Sequence, residues 1–261
     1  MMNQTFYTLQ INAISTCFEI KVNDIPLHTE STGYSTAVEI PINHLLVKGL
    51  NLLQISIWPS KHENEFVGHT KSDFEIFYRD INDDREQRKL LATAEFPDYI
   101  TDETLKTSTL KSKTEFQVSL PTEIPLWTIS PVLKLNEPTV NEVMDIYKEY
   151  FNALKSKNID AVLKLTGAKN KVYADTSYKS LNTHVGGIRE SLTTVFADAE
   201  NELIDFDIQI KKPELHAFGK LVTIMNDENR SPLQFYNAET EVTTSYKIYL
   251  CKKDGKMTIV L

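Results

Sequence analysis

Side chains that could transfer protons are concentrated in the second half of this 261-residue sequence. Aspartate, histidine and tyrosine act as general acids or bases when a pocket shifts their pKa. We select Asp175 and Tyr178, which fall between the second and third predicted helices, and His216, which falls in a predicted strand. Further groups of the same kind are Tyr173, His184, Asp205, Asp207 and Tyr236.

A structural role is the simpler interpretation for most of these residues. Asp205 and Asp207 lie opposite an apolar face that begins at Ile204, so strand alternation predicts that both are solvated. His216 lies between two apolar residues, a pattern that favours a hydrogen-bonded strand histidine. Because no spacing assembles an Asp–His or Tyr–Asp pair, the sequence assigns no catalytic residue and leans away from an enzyme.

The sequence indicates neither a metal site nor a cofactor site. His62-Glu63 lacks the second histidine of an HExxH motif. The run that starts at Asp80 begins like a calcium loop, but Arg85 stands where that loop needs glycine and Leu91 where it needs glutamate. Without a P-loop or a GxGxxG motif, the prediction is no metal, no cofactor and a solvated turn over 80–89.

Trp58 is the best candidate for contact with a ligand. It ends a predicted strand immediately before Pro59 and a polar loop. An indole ring can stack on a sugar or on a loop of a protein partner. Core packing explains most of the other aromatic residues more simply.

The elements that must position these residues change in character near residue 130. Alternation of apolar and polar residues predicts strands over 6–11, 17–22, 37–42, 52–58, 74–78, 90–96 and 115–120. The sequence Asn23-Asp24-Ile25-Pro26 predicts a turn, since proline cannot continue a central ladder. Many short strands with few helical periods indicate an antiparallel β-sandwich over residues 1–124.

Residues 125–138 read as a proline-rich, extended linker, in which Trp127 packs against one of the domains. Helical periodicity follows, with Thr139 as the expected N-cap of the first helix. Two more helices are expected at 160–165, ended by Gly167, and at 188–199, after Gly186-Gly187. Strands are predicted over 204–210, 216–225, 233–236 and 242–250, so residues 139–261 form an α+β domain.

Composition and charge exclude several classes of protein. The chain has 28 Lys and Arg against 36 Asp and Glu, a formal charge of −8, and residues 1–130 alone carry −7. This balance argues against nucleic acid as the main partner, and no apolar run is long enough to span a membrane. Without a visible signal peptide the expected location is the cytoplasm, or the periplasm or exterior if such a peptide has been removed. Cys17 and Cys251 are expected to be small apolar strand residues, although a disulfide between them is not excluded by sequence.

The two halves resemble two known groups of domains. TVNEVMDIYKEYFNALKSKNIDAVLKL, GGIRESLTTVF and the ending YKIYLCKKDGKMTIVL are similar to the NTF2-like (SnoaL-type) superfamily, whose helices fold onto a curved antiparallel sheet. That resemblance implies a cone whose mouth holds pocket residues in catalytic members, while many other members only bind. FEIKVNDIPL and TAVEIPINHLLVKGLNLLQISIWP more weakly resemble galactose-binding-like jelly-roll sandwiches, with Asp24 in place of the usual glycine.

The sequence therefore predicts a two-domain protein that binds without catalysis. A protein partner is favoured, in an accessory, inhibitor-like or immunity-like role, because catalytic motifs are absent. The acidity of residues 1–130 would attract a basic partner. One alternative is a small-molecule isomerase, cyclase or dehydratase with Asp175 or His216 as the base. Another is carbohydrate binding through the first domain. A homodimer through the NTF2-like sheet is also compatible with the sequence.

Overall fold

The structure is a computed structural model that describes residues 4–120, 125–205, 212–226 and 230–261. The chain divides into two compact units, Met1–Pro125 and Leu126–Leu261, named here the first and second unit. Both contain antiparallel sheets, and the second also contains four α-helices, so the described chain is a mixture of helix and strand. No helix in these ranges combines the length and the hydropathy that a membrane crossing requires.

The described residues of the first unit form eight strands in two antiparallel sheets. The strands are β1 (Thr5–Ile14), β2 (Thr16–Val22), β3 (Ile25–Glu30), β4 (Thr36–Pro41), β5 (Gly49–Pro59), β6 (Lys71–Asp80), β7 (Lys89–Thr93) and β8 (Leu110–Val118). One sheet has the order β4-β1-β6-β7 and the other β3-β2-β5-β8. Phe18 of β2 meets Phe74 of β6 edge to face at 5.3 Å between ring centroids, so the two sheets share one apolar core.

A hairpin at Asn23-Asp24 corrects the turn predicted over 23–26. Both residues have positive φ, 53° and 65°, so the reversal needs only these two residues. Pro26 then lies inside β3, paired with Lys21. The strand tolerates proline because β3 is at the edge of its sheet.

In the part of the second unit that the structure describes, four helices pack on two antiparallel sheets. The helices are α1 (Glu137–Lys155), α2 (Ile159–Leu165), α3 (Gly167–Thr176) and α4 (Leu181–Ala197). One sheet has the order β10-β11-β14-β15 and the other β13-β12-β9. Their strands are β9 (Asn201–Leu203), β10 (Lys212–His216), β11 (Leu221–Met225), β12 (Gln234–Asn237), β13 (Val242–Ser245), β14 (Leu250–Lys253) and β15 (Lys256–Ile259). A single apolar cluster joins α1, α2 and α4 to strands of both sheets.

The helix boundaries differ from the predicted ones at three places. Asn136, not Thr139, caps α1: its Oδ1 accepts from the Thr139 N–H at 3.1 Å, and Pro138 lies in the first helical turn. Gly167 begins α3 instead of ending a helix, and α4 continues through Gly186 and Gly187. A glycine in a helix costs only about 1 kcal/mol, which packing of the apolar face of α4 offsets.

Two of the predicted strands are interrupted. The strand predicted over 216–225 is wrong near its start. Ala217, Phe218 and Gly219 all have positive φ and form a turn that connects β10 to β11. The prediction over 242–250 separates into β13 and β14, which belong to different sheets. The predicted strand over 204–210 lies mostly outside the described residues, and its described start, Ile204, follows the end of β9.

A buried tyrosine completes the hydrogen bonding where the chain passes from β13 to β14. The Tyr147 hydroxyl accepts from the Ile224 N–H at 2.9 Å and lies 3.2 Å from the Ile248 carbonyl. The Thr223 hydroxyl donates to the same carbonyl at 2.7 Å. These bonds replace the backbone hydrogen bonds that a continuous strand would have made. Burial raises the pKa of Tyr147 to about 12.

Candidate functional site

The structure gives Asp175 and Tyr178 local roles at the end of α3. Asp175 lies within this helix and forms a surface ion pair with Lys171, with 2.6 Å between Oδ2 and Nζ. Tyr178 has φ 56° just after the helix, where its N–H donates to the Asp175 carbonyl at 3.3 Å. The Lys179 N–H donates to the Ala174 carbonyl at 3.0 Å, which completes a Schellman helix end. Both residues lie between α2 and α4, the helices predicted at 160–165 and 188–199, but Asp175 belongs to α3, a helix that the sequence pattern did not predict.

His216 is a buried residue at the end of β10. Its ring meets Tyr249 edge to face at 5.6 Å between centroids. Its Nε2 lies 3.8 Å from a carboxylate oxygen of the partly exposed Glu214 on the same strand. Asp175 contacts Lys171 and His216 contacts Tyr249, so the two residues do not form a catalytic dyad.

Of the remaining proton-transfer candidates, one pair comes together and the others lie apart from it. Tyr173 and His184 are brought together, with ring centroids 6.1 Å apart and planes 8° from parallel. Tyr236 is exposed on β12, and Asp205 is exposed after β9. Asp207 lies outside the described residues.

Lys169 is a site residue that the sequence did not reveal. Its ammonium donates to the Lys247 carbonyl at 2.8 Å and lies 5.8 Å from the centroid of the Tyr173 ring. Burial, and then the charge of Lys247, lowers the pKa of Lys169 to about 8. Within the described ranges, no carboxylate forms an ion pair with Lys169. A desolvated ammonium without a carboxylate can bind an anion or, when deprotonated, act as a nucleophile.

Lys169 has cations and aromatic rings among its described neighbours, and we name this group the lysine–tyrosine cluster. Its members are Lys169, Tyr173, His184, Lys247 and Tyr249. The Lys247 ammonium lies 5.0 Å from the centroid of the Tyr249 ring. Burial, followed by the charges of Lys179 and Lys169, lowers the pKa of His184, and burial raises that of Tyr173 to about 12. The sequence did carry one signal, because residues 161–189 hold five Lys and Arg against one Asp in an otherwise acidic chain.

The first unit carries the opposite charge on two adjacent loops, which we name the acidic end. Residues 60–70 and 94–107 contain six carboxylates against two lysines, and all six carboxylate residues are exposed: Glu63, Glu65, Glu95, Asp98, Asp102 and Glu103. The two loops are joined by a hydrogen bond from the Phe66 N–H to the Lys106 carbonyl at 2.8 Å. The Phe66 and Tyr99 rings also meet at 4.5 Å between centroids.

An aromatic chain fixes the acidic end to the core of the first unit. The ring centroids of Tyr99 and Phe96 are 6.4 Å apart, and those of Phe96 and Phe74 are 6.2 Å apart. Hydrogen bonds from the Thr101 hydroxyl and N–H lower the pKa of Asp98, so its charge persists well below neutral pH. The carboxylates are therefore held on ordered loops.

Trp58 lies at the end of β5, on the face of the sheet that points away from the core. It is half-buried, and strand alternation places it on the same face as Ser56 and Gln54. Beside these residues is a depression of about 320 Å³, lined mainly by polar side chains of three strands: Glu19, Lys21, Gln54, Ser56, Lys111, Ser112 and Lys113. Gln54 Oε1 is buried there and accepts no hydrogen bond from any described residue.

The structure assembles no obvious metal centre. Throughout the described ranges, no group of three or more His, Cys, Asp or Glu side chains could hold a metal ion. The 80–89 segment is more than a solvated turn, because Arg88 reaches the sheet and donates to Glu39 at 2.8 Å and to Gln10 at 2.6 Å. Cys17 and Cys251 are free and buried, and burial raises the pKa of both thiols.

Comparisons of the chain with protein families, with curated proteins and with solved structures find no match. Its function must therefore be argued from the residues and contacts above.

Proposed function

We propose that this protein binds a basic protein partner through the acidic end of its first unit, without catalysis. The observation that carries the proposal is that six exposed carboxylates lie on two loops that aromatic contacts fix to the core. Loops that are already ordered lose less conformational entropy on binding. Their shared charge steers a basic partner and disfavours an acidic one.

The proton-transfer candidates support binding over catalysis. Asp175 is paired with Lys171 on the same helix and His216 packs against Tyr249, so these two candidates do not form an acid–base pair with each other. An NTF2-like second unit remains part of the proposal, supported by four helices packed on antiparallel sheets. Many domains of that superfamily bind ligands or partners without a reaction, and a jelly-roll assignment for the first unit is compatible with its two facing sheets.

A matched pair of charge reversals tests the proposal. Glu65→Lys with Glu95→Lys changes the acidic end, while Glu149→Lys with Glu190→Lys makes the same change in charge at exposed positions of α1 and α4. Each protein is immobilised and exposed to lysate of the source organism, and bound proteins are quantified by mass spectrometry over a salt series. We expect one basic protein that the wild type and the Glu149/Glu190 variant retain, that the Glu65/Glu95 variant loses, and that moderate salt releases. Equal retention by all three proteins would contradict the proposal.

Carbohydrate binding by the outer face of β5 is a second candidate function. The specific observation that favours it is Gln54 Oε1, a buried acceptor without a hydrogen bond from the described residues, two positions from Ser56 and four from Trp58. A sugar hydroxyl could donate to Gln54 while a sugar ring stacks on the indole. A glycan array would test this function with Gln54→Leu and Trp58→Ala, each of which should abolish binding. A wild-type protein that binds no glycan would exclude it.

A further inference from the structure

The depression on the outer face of the first unit lies over two rows of side chains that cross the strands β2, β5 and β8. Each row has an uncharged hydrogen-bonding residue of β5 at its centre, Gln54 in one and Ser56 in the other. Opposite side chains of antiparallel strands lie about 5 Å apart at Cβ, so each centre is flanked closely by charged groups. The rows are Lys21, Gln54 and Lys113, and Glu19, Ser56 and Lys111, and all six residues line the depression.

The charges around this depression do not balance. Three lysines and one glutamate line it, and the glutamate, Glu19, is paired with Lys21 at 3.5 Å between Oε1 and Nζ. Lys111 and Lys113 are exposed, lie two residues apart on one face of β8, and form no ion pair with any residue that the structure describes. The next residue on that face, Glu115, does not line the depression. The depression is therefore a positive spot on an otherwise acidic unit.

Gln54 adds an unmet hydrogen bond between these charges. Its Oε1 is buried and accepts no hydrogen bond from a described residue, and a buried acceptor without a donor is unfavourable. The residue as a whole is half-buried, and the last torsion of a glutamine side chain rotates readily, so a ligand in the depression can reach the amide oxygen. A hydroxyl has a proton to donate to this oxygen, whereas an ionised carboxylate has none.

We propose that the depression binds an acidic sugar, that is, a sugar ring that carries a carboxylate or a sulfate group. This inference rests on the carbohydrate-binding function proposed above for the same face, and it specifies the class of sugar. A ring hydroxyl donates to Gln54 Oε1, and the acidic group lies between the ammoniums of Lys111 and Lys113. The volume of about 320 Å³ is near the lower end of the range of small-molecule sites, which is appropriate to one or two sugar rings.

Two simpler classes of ligand each satisfy only half of this depression. A neutral sugar can donate to Gln54 but leaves the charges of Lys111 and Lys113 unpaired. A small anion without hydroxyls can pair with the lysines but leaves Gln54 Oε1 without a donor. A ligand that combines hydroxyls with a negative charge satisfies both requirements, and an acidic sugar is such a ligand.

NMR titration of the full chain tests the proposal. The probes are glucose and galactose, their uronates and their 6-sulfates, with acetate as a charged probe without hydroxyls, all at constant ionic strength. The side-chain amide signals of Gln54, identified by their absence from Gln54→Leu, report binding in the depression. We expect at least one acidic sugar to bind about tenfold more tightly than its neutral parent, because two ion pairs are added. Acetate should leave the Gln54 signals in place. A preference for the uronates or for the 6-sulfates identifies the acidic group.

Paired lysine substitutions assign that preference to the depression. Lys111→Gln with Lys113→Gln should remove most of the preference for the acidic sugar and change the affinity for the neutral sugar less than about twofold. Lys48→Gln with Lys89→Gln is the matched control, since it makes the same change in charge at exposed lysines of the first unit that do not line the depression. This control should keep the preference. All four lysines are exposed, so neither variant is expected to disturb folding.

The outcomes separate this inference from the function on which it rests. Equal affinity for the neutral and the acidic sugars would overturn the inference and leave carbohydrate binding in place. Absence of binding by every sugar would overturn both. Acetate binding as tight as that of the uronates, or an equal loss of preference in the two paired lysine variants, would overturn the inference because charge alone would then explain the binding.

Discussion

The two units pair a partly buried charge in different ways. In the first unit, Glu39 accepts hydrogen bonds from the Thr8 hydroxyl at 2.7 Å and from Arg88 at 2.8 Å, and Arg85 adds an ion pair at 2.5 Å. In the second unit, Lys169 meets a backbone carbonyl, a ring and another lysine. A fully paired charge is explained by stability alone. Among the described residues Lys169 has no carboxylate partner, so pairing does not account for its charge.

The largest effect is expected from removing the main partner of Glu39. Arg88→Met deletes the donor to Glu39 and Gln10 and the guanidinium that lies 4.4 Å from the Phe77 ring centroid. It should lower the free energy of unfolding of the first unit by about 2–4 kcal/mol, because a mostly buried carboxylate loses its best partner. Denaturant unfolding followed by Trp58 fluorescence in a Trp127→Phe background measures the change in this unit. Arg85→Met, which removes a more exposed arginine, should cost less than about 1 kcal/mol, and an equal cost would contradict the pairing described here.

Substitution of Lys169 should change the free energy of unfolding in the opposite direction. Lys169→Met removes a desolvated charge but keeps the length of the side chain, so it should raise the free energy of unfolding of the second unit by about 1 kcal/mol. Trp127 fluorescence in a Trp58→Phe background reports this unit. Lys171→Met should leave the stability within about 0.5 kcal/mol, because its ion pair is exposed. If Lys169→Met destabilises the unit, the ammonium has a structural role and the contrast between the units fails.

High pH should remove the penalty on Lys169. Its pKa is lowered to about 8 in the folded protein, so the unfolded chain binds more protons between pH 8 and about 10.5, and stability should rise with pH in that interval. The advantage of Lys169→Met over wild type should therefore shrink from pH 7 to pH 10. Thermal unfolding of the two proteins at both values, compared as a difference, cancels the titration of their other groups. A difference that stays constant would show that Lys169 is not desolvated.

Acid should weaken the first unit through Glu39. Burial raises the pKa of this carboxyl, but the Thr8 hydrogen bond and the two arginines outweigh burial, so the net shift is downward. Its stabilising contribution is thus complete above the unfolded-state pKa and is lost as the pH falls through the folded-state value. Glu39→Gln should therefore reduce the loss of stability of the first unit between pH 6 and pH 3. An unchanged pH dependence would assign the acid sensitivity to other carboxylates.

Periodicity predicted the elements whose faces differ clearly in polarity. Phe18, Ile20 and Val22 alternate with charged residues and lie buried in β2, and the apolar stripe of α1 places Met144 and Tyr147 in the core. The sequence pattern did not predict α3, because this helix begins at a glycine and has no apolar stripe. Where local propensity is weak, packing decides the conformation.

The candidate sites required knowledge of the fold. Lys169 and Lys247 are 78 residues apart in the chain, and no spacing rule relates them. Asp175 and His216 looked suited to catalysis as residue types, yet Asp175 pairs with Lys171 on its own helix and the His216 ring packs against Tyr249, so the two do not come together. Only Trp58 could be placed from sequence, because strand alternation determines which face of a sheet a residue occupies.

The most direct test of the account is whether the acidic end of the first unit holds a basic protein partner. The wild type, the Glu65→Lys/Glu95→Lys variant and the Glu149→Lys/Glu190→Lys variant are compared for the protein that each retains from lysate over a salt series. The account predicts that the wild type and the Glu149/Glu190 variant retain one basic protein that moderate salt releases, and that the Glu65/Glu95 variant loses it. Equal retention by all three proteins would contradict it.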